Sequence, residues 1–160
     1  MIRLLATCFV ALTLIGCSEP ADEPVAEATP AQVAAQTLPK VTTYKTPTCG
    51  CCTLWVDHMR EAGFEVEAID FDTLDDVKQQ YGISLQLQSC HTSVVDGYIV
   101  EGHVPASDVK RLLAERPDAG GLAVPGMPIG SPGMEIEGQP ADRYRTYLVT
   151  KAGLRVWEEH

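Results

Sequence analysis

Four cysteines sit where their spacing asks for chemistry: Cys49, Cys51 and Cys52 in a C-x-C-C run, and Cys90 in Ser89-Cys90-His91-Thr92. Thiolates are nucleophiles, redox partners and soft-metal ligands, so crowded cysteines define a short list of activities. Adjacent Cys51-Cys52 and near-adjacent Cys49-Cys51 do not close into relaxed disulfides. Zinc knuckles space their ligand pairs as C-x₂₋₄-C in two separated units, which three crowded cysteines do not match. Sulfurs packed this closely suit Cu(I), including several Cu(I) ions bridged by shared thiolates. Two structural disulfides are the plain alternative, with three connectivities open to four cysteines.

The elements that must position these residues follow from periodicity. Val41-Thr42-Thr43-Tyr44-Lys45 alternates as a strand, and Thr46-Pro47-Thr48 ends it. A helix is predicted over Thr53 to Ala62, with Leu54, Trp55, His58 and Met59 around one face and Gly63 as its stop. Phe64 to Phe71 reads as a second strand, and Asp75 to Tyr81 as a short helix. Ser93-Val94-Val95 and Tyr98-Ile99-Val100 flank Asp96-Gly97, a two-residue hairpin signal. Ser107 or Asp108 is the expected cap of a helix that Pro117 stops. Beyond it, Gly120 to Gly138 reads as a Gly/Pro-rich loop, and Tyr144 to Val149 with Leu154 to Trp157 as an added hairpin.

The resulting order, β-α-β-α-β-β-α, is that of a thioredoxin-like α/β sheet with a C-terminal loop and β-hairpin appended. In that template a C-x-x-C opens the first helix, where orphan N–H groups and the helix dipole favour thiolate. Here the C-x-C-C takes that place. The segment before the third strand, normally a cis-proline, is Ser89-Cys90-His91-Thr92, so Cys90 is expected to face the C-x-C-C. A Cys49-Cys52 bridge is the thioredoxin-like pairing, leaving Cys51 and Cys90 to pair or stay free. His91, His103 in Gly102-His103-Val104-Pro105, and Met127 and Met134 in the Gly/Pro loop are further soft or borderline donors near this end. His58 and Met59 read as surface and packing, and His160 as a disordered terminus.

Twelve Lys+Arg against 22 Asp+Glu give a net charge of -10, which disfavours nucleic acid and anionic lipid as partners. The N-terminus reads as an export signal: Arg3, an apolar run from Leu4 to Ile15, then Gly16-Cys17. Leu14-Ile15-Gly16-Cys17 resembles a bacterial lipobox, which makes residues 1–16 a lipoprotein signal peptide and Cys17 the lipidated residue. Ser18 after it favours an outer-membrane anchor in a Gram-negative envelope. Residues 17–39 are acidic and Pro/Ala-rich, with too little apolar bulk to fold, and read as a tether to a domain over 40–160.

The runs Tyr44 to Cys52, Ser89-Cys90-His91-Thr92, Glu101-Gly102-His103-Val104-Pro105, and Gly121 to Met134 resemble, in that order, the CopG-type periplasmic copper-resistance proteins. The resemblance covers nearly all of residues 40–160. It implies a thioredoxin-like fold and copper binding by Cys49, Cys51, Cys52 and Cys90, with His91, His103, Met127 and Met134 as weaker candidates. The expected activity is a Cu(I) buffer or a Cu(I)/Cu(II) redox relay, with another envelope copper carrier or efflux component as partner. The competing enzyme reading is a thiol-disulfide oxidoreductase using the same cysteines, against which the missing cis-proline argues.

Overall fold

The computed structural model describes residues 37–160, so the expected signal peptide, lipidated Cys17 and most of the tether lie outside the described residues. A mixed α/β architecture is built on a seven-stranded sheet, in the order β2-β1-β3-β4-β5-β6-β7. The strands are β1 (Val41–Lys45), β2 (Val66–Asp70), β3 (Thr92–Val95), β4 (Tyr98–Glu101), β5 (Gly121–Ala123), β6 (Arg145–Thr150) and β7 (Gly153–Glu159). Helix α1 (Gly50–Glu61) links β1 to its parallel neighbour β2, while α2 (Asp75–Gln80) precedes β3 and α3 (Ala106–Glu115) follows β4. Among the described residues, only the β1/β2 and β4/β5 pairs are parallel.

Register shows how the sheet buries one face. Val41 pairs with Val66 and Val95, Val95 with Tyr98, Val100 with Leu122, and Leu122 with Leu148. Paired residues share a face, and these seven lie in one buried cluster with Trp55, Val56 and Met59 of α1 and Val109 and Leu112 of α3. Each such side chain contributes about 1.5–3 kcal/mol on burial. The opposite face carries Tyr44, Thr92 and Glu101, also linked by register, and α2 covers it through Lys78 and Tyr81. Asp96 (φ 47°) and Gly97 (φ 84°) form the expected tight turn between β3 and β4.

Four sequence expectations are corrected. Helix α1 begins at Gly50, ahead of Thr53, because the Cys49 sulfur caps it by accepting the Cys52 N–H at 3.3 Å. Within the expected Gly/Pro loop, Gly121–Ala123 forms β5, since β4 and β6 each offer a strand edge to it. Neither Ser107 nor Asp108 caps α3: the cap residue is Pro105, and the buried Asp108 carboxylate accepts the Thr146 hydroxyl instead, at 2.6 Å. His160 is ordered, stacked on Tyr144 with Nε2 3.0 Å from Asp108.

Candidate metal centre

Register also decides where the donors meet. Tyr44 pairs with Thr92 and Thr92 with Glu101, so the end of β1, the start of β3 and the end of β4 share one edge of the sheet. The loops leaving that edge are Thr46–Cys49, Gln88–His91 and Gly102–Pro105, joined by the segment after β5. That last segment is held close by Gly126 N–H bonding to Gln88 O at 3.2 Å and Val124 N–H to Glu101 O at 3.0 Å. Gly133, at φ 84°, lies so close to the first turn of α1 that an added Cβ would stand 2.7 Å from Cys51 O and 2.8 Å from Trp55 N.

This assembly brings together the sulfurs of Cys49, Cys51, Cys52 and Cys90, all within 4.8 Å of one another. Cys49 and Cys52 are joined as a disulfide with Cα atoms 5.3 Å apart, and Cys51 and Cys90 are free. Cys51 Sγ lies 3.5 Å from Cys49 Sγ and 3.8 Å from Cys90 Sγ. Burial, reinforced by the neighbouring Cys51, pushes the Cys90 thiol up to about 12, so it is protonated at neutral pH.

A second close set is Cys90, His91 and His103, again within 4.8 Å. Both rings are fully buried. His103 Nδ1 lies 2.8 Å from Pro132 O, which fixes that nitrogen as the N–H and leaves the Nε2 lone pair facing Cys90 Sγ at 2.9 Å. His91 Nδ1 is 3.4 Å from the same sulfur, while its Nε2 has no partner. Burial drives His91 well below the usual histidine range, helped by His103 and Lys78, and lowers His103 as well, so neutral imidazoles face the thiols. Trp55 forms the floor, its ring centre 4.5 Å from that of His91 and its Nε1–H donated to Val104 O at 2.9 Å.

Sequence reasoning missed the residues that hold Cys90 in place. Glu101, 2% exposed, accepts Lys78 Nζ at 2.5 Å, the Thr92 hydroxyl at 2.6 Å and the Ser89 N–H at 2.7 Å. Burial raises the Glu101 carboxyl, with Lys78 opposing that rise. The only sequence signal was Glu101 itself, a carboxylate ending an otherwise apolar strand. Of the expected donors, Met127 is 53% exposed and Met134 half-buried, both on the segment that flanks the cysteines.

A mixed α/β scaffold that gathers four sulfurs and two neutral imidazoles at one sheet edge defines a thiol-rich protein capable of binding a metal ion. The comparisons narrow that class. Two solved structures, titled "Copper resistance protein copG" in forms 2 and 1, share 41% identity with this chain at TM-scores of 0.72 and 0.71. Each match covers 77% of this chain and 98% of the other. The chain therefore belongs to the CopG family of copper-resistance proteins. Residues 87–134, which contain Cys90, both site histidines and the flanking loop, also match a family described as "Protein of unknown function, DUF411". No curated protein matches the chain.

Proposed function

We propose that this chain is an envelope copper-binding protein of copper resistance, holding Cu(I) on Cys49, Cys51, Cys52 and Cys90. The observation that carries this reading is the convergence of four sulfurs within 4.8 Å, on a chain of the copper-resistance family. Four soft donors this close suit Cu(I), and sulfur-to-sulfur spacing near 3.5–3.8 Å suits thiolates that bridge more than one ion. Loading the full set starts with reduction of the Cys49–Cys52 disulfide by a dithiol, which supplies two electrons and two protons and becomes a disulfide itself. Cu(I) then displaces the thiol protons. His91, His103, Met127 and Met134 are the supplementary donors in this reading.

The sheet order and the crossover helix support a thioredoxin-like classification, with β5, β6 and β7 extending the sheet beyond the template. Residues 1–16 serve as the signal peptide, Cys17 as the outer-membrane lipid anchor and 17–39 as the tether in this proposal. Residues 40–160 form the copper domain, with an envelope copper carrier or efflux component receiving the ion. Buried neutral imidazoles beside the thiolates support Cu(I)/Cu(II) redox handling as the use of the site.

The deciding experiment is anaerobic Cu(I) loading of the reduced chain, with copper and free thiols counted together. Retained copper that falls sharply in Cys90→Ser, with the circular dichroism spectrum unchanged, supports the site. Unchanged copper in that variant refutes it. The closed Cys49–Cys52 pair favours one second reading, a thiol-disulfide oxidoreductase with Cys51 or Cys90 assisting. Turnover of a protein disulfide by the metal-free chain would establish that reading instead.

A further inference from the structure

Apolar side chains left in water mark an interaction surface when they gather rather than scatter. Of the seven large hydrophobic side chains exposed among the described residues, five sit on segments at the cysteine edge of the sheet. Leu54, 57% exposed, lies on α1 one turn beyond Cys51, where Gly133 packs against its backbone. Phe71 follows β2, its N–H donated to Lys45 O at 2.9 Å. Leu85, 87% exposed, opens the 3₁₀ turn Leu85–Leu87 that leads into Cys90. Met127 follows Gly126, which is bonded to Gln88, and Ile136 follows Glu135, whose carboxylate accepts the Gly133 N–H at 2.7 Å. The other two, Leu154 and Val156, are on β7.

Charge divides the molecule in the same direction. Residues 70–76 and 124–142, both at this edge, carry seven carboxylates and no lysine or arginine. Of these carboxylates Asp70 alone has an ion-pair partner among the described residues, Lys45 at 2.8 Å. At the far end of the sheet charges are matched, Lys40 with Glu65 and Glu67, Arg116 with Asp96, and Lys151 with Asp118. A second copy of the chain would set carboxylates against carboxylates here, and an anionic bilayer is repelled for the same reason.

We propose that the cysteine edge is a docking surface for a protein partner whose contact face is apolar at its centre and ringed by lysine and arginine. The five apolar side chains supply the surface that water leaves. The carboxylates draw the partner in and fix its orientation, which acts on association rate and specificity. Such a partner fits the copper carrier or efflux component of the reading above, on which the cargo, though not the docking, rests. Docking can therefore fail while copper uptake succeeds.

The test titrates the ¹⁵N-labelled full chain, disulfide closed, with ferrous cytochrome c, whose exposed haem edge is apolar and ringed by lysines. Expected are amide shifts at Leu54, Phe71, Leu85, Met127 and Ile136, with Leu154 and Val156 unmoved. Affinity should fall roughly tenfold or more between about 20 mM and about 200 mM salt. Succinylated cytochrome c, with the same apolar centre and an acidic rim, should not bind. Leu54→Gln and Ile136→Gln remove no charge and should each weaken binding about threefold or more, whereas Val156→Gln should not. No shifts, shifts away from this edge, equal binding of the succinylated protein, or full affinity in both edge variants overturns the proposal. So does movement of these resonances with the chain's own concentration, which makes a second copy the occupant. Should a variant not fold, the wild-type shifts decide. Cu(I) uptake by the reduced wild-type chain is measured separately, and its failure sinks the copper reading while the docking result stands.

Discussion

The Glu101 carboxylate accepts the backbone N–H of Ser89 at 2.7 Å, so a buried acid at the end of β4 fixes the residue that precedes Cys90. The same carboxylate is paired with Lys78, which is 6% exposed, and the ion pair therefore has no water to fall back on. Removing one partner strands the other charge. Glu101→Leu and Lys78→Met should each cost about 3–5 kcal/mol in urea unfolding, and the double variant Lys78→Met/Glu101→Leu far less than their sum. Additive losses in that cycle would show that the two residues do not act as a pair.

Alkylation reads the disulfide directly. Iodoacetamide on the unfolded but unreduced chain should modify only Cys51 and Cys90 among the described cysteines, and reduction should expose Cys49 and Cys52 as well. In the native chain Cys90 should react at least roughly a hundredfold more slowly at pH 8 than a free cysteine, because its thiol is pushed up to about 12 and little thiolate is present. Peptide mass spectrometry over a time course checks both statements. Rapid native labelling of Cys90 would contradict its burial.

His58 supplies the cap that Pro105 cannot. Its Nε2 accepts the Ala106 N–H, the first of α3, at 3.1 Å, a bond only the neutral ring makes. Burial lowers its protonation constant below the ordinary 6.5, with Glu135 and Glu61 opposing. For a base whose folded value is depressed, the unfolded chain binds the proton more readily. This contribution to stability is therefore complete above pH 6.5 and is lost as pH falls through the folded value. His58→Ala should cost about 1 kcal/mol at pH 8 and progressively less on acidification, while His58→Gln should retain part of the cap. A cost that does not change with pH would exclude the capping role.

Gly133→Ala tests the contact between the flanking segment and α1. A methyl group 2.7 Å from Cys51 O, on a residue at φ 84°, forces that segment away from the helix. The expected loss is about 1–3 kcal/mol, with faster alkylation of Cys51 as its cover lifts. Unaltered stability and reactivity would mean that the segment yields freely.

Much of this architecture is legible in the residues. Alternation over Val41–Lys45 and the Asp96-Gly97 turn fix three strands, and strand order then brings Cys90 to the C-x-C-C and His103 to the same edge. What escapes is what only tertiary context decides. Gly121–Ala123 is too short and glycine-rich to signal a strand, and it becomes one because two edges flank it. Lys78 and Glu101 carry charges that normally face water, and nothing local says that they pair. Asp108 has the identity of a helix cap, but the Thr146 hydroxyl, 38 positions away, wins its carboxylate.

The cysteine spacings carry a further consequence, for the order in which the chain matures. Cys49 and Cys52 are three positions apart, and their disulfide needs only the first turn of α1. Cys51 meets Cys90 across 39 positions, and only once β3 has docked beside β1. Closing a short loop costs less chain entropy than closing a long one, so the local pair is favoured before the sheet assembles. Sequence distance thus sorts four chemically equivalent thiols into an early pair and a late pair. The late pair, which completes the donor cluster, exists only in a chain that has finished folding.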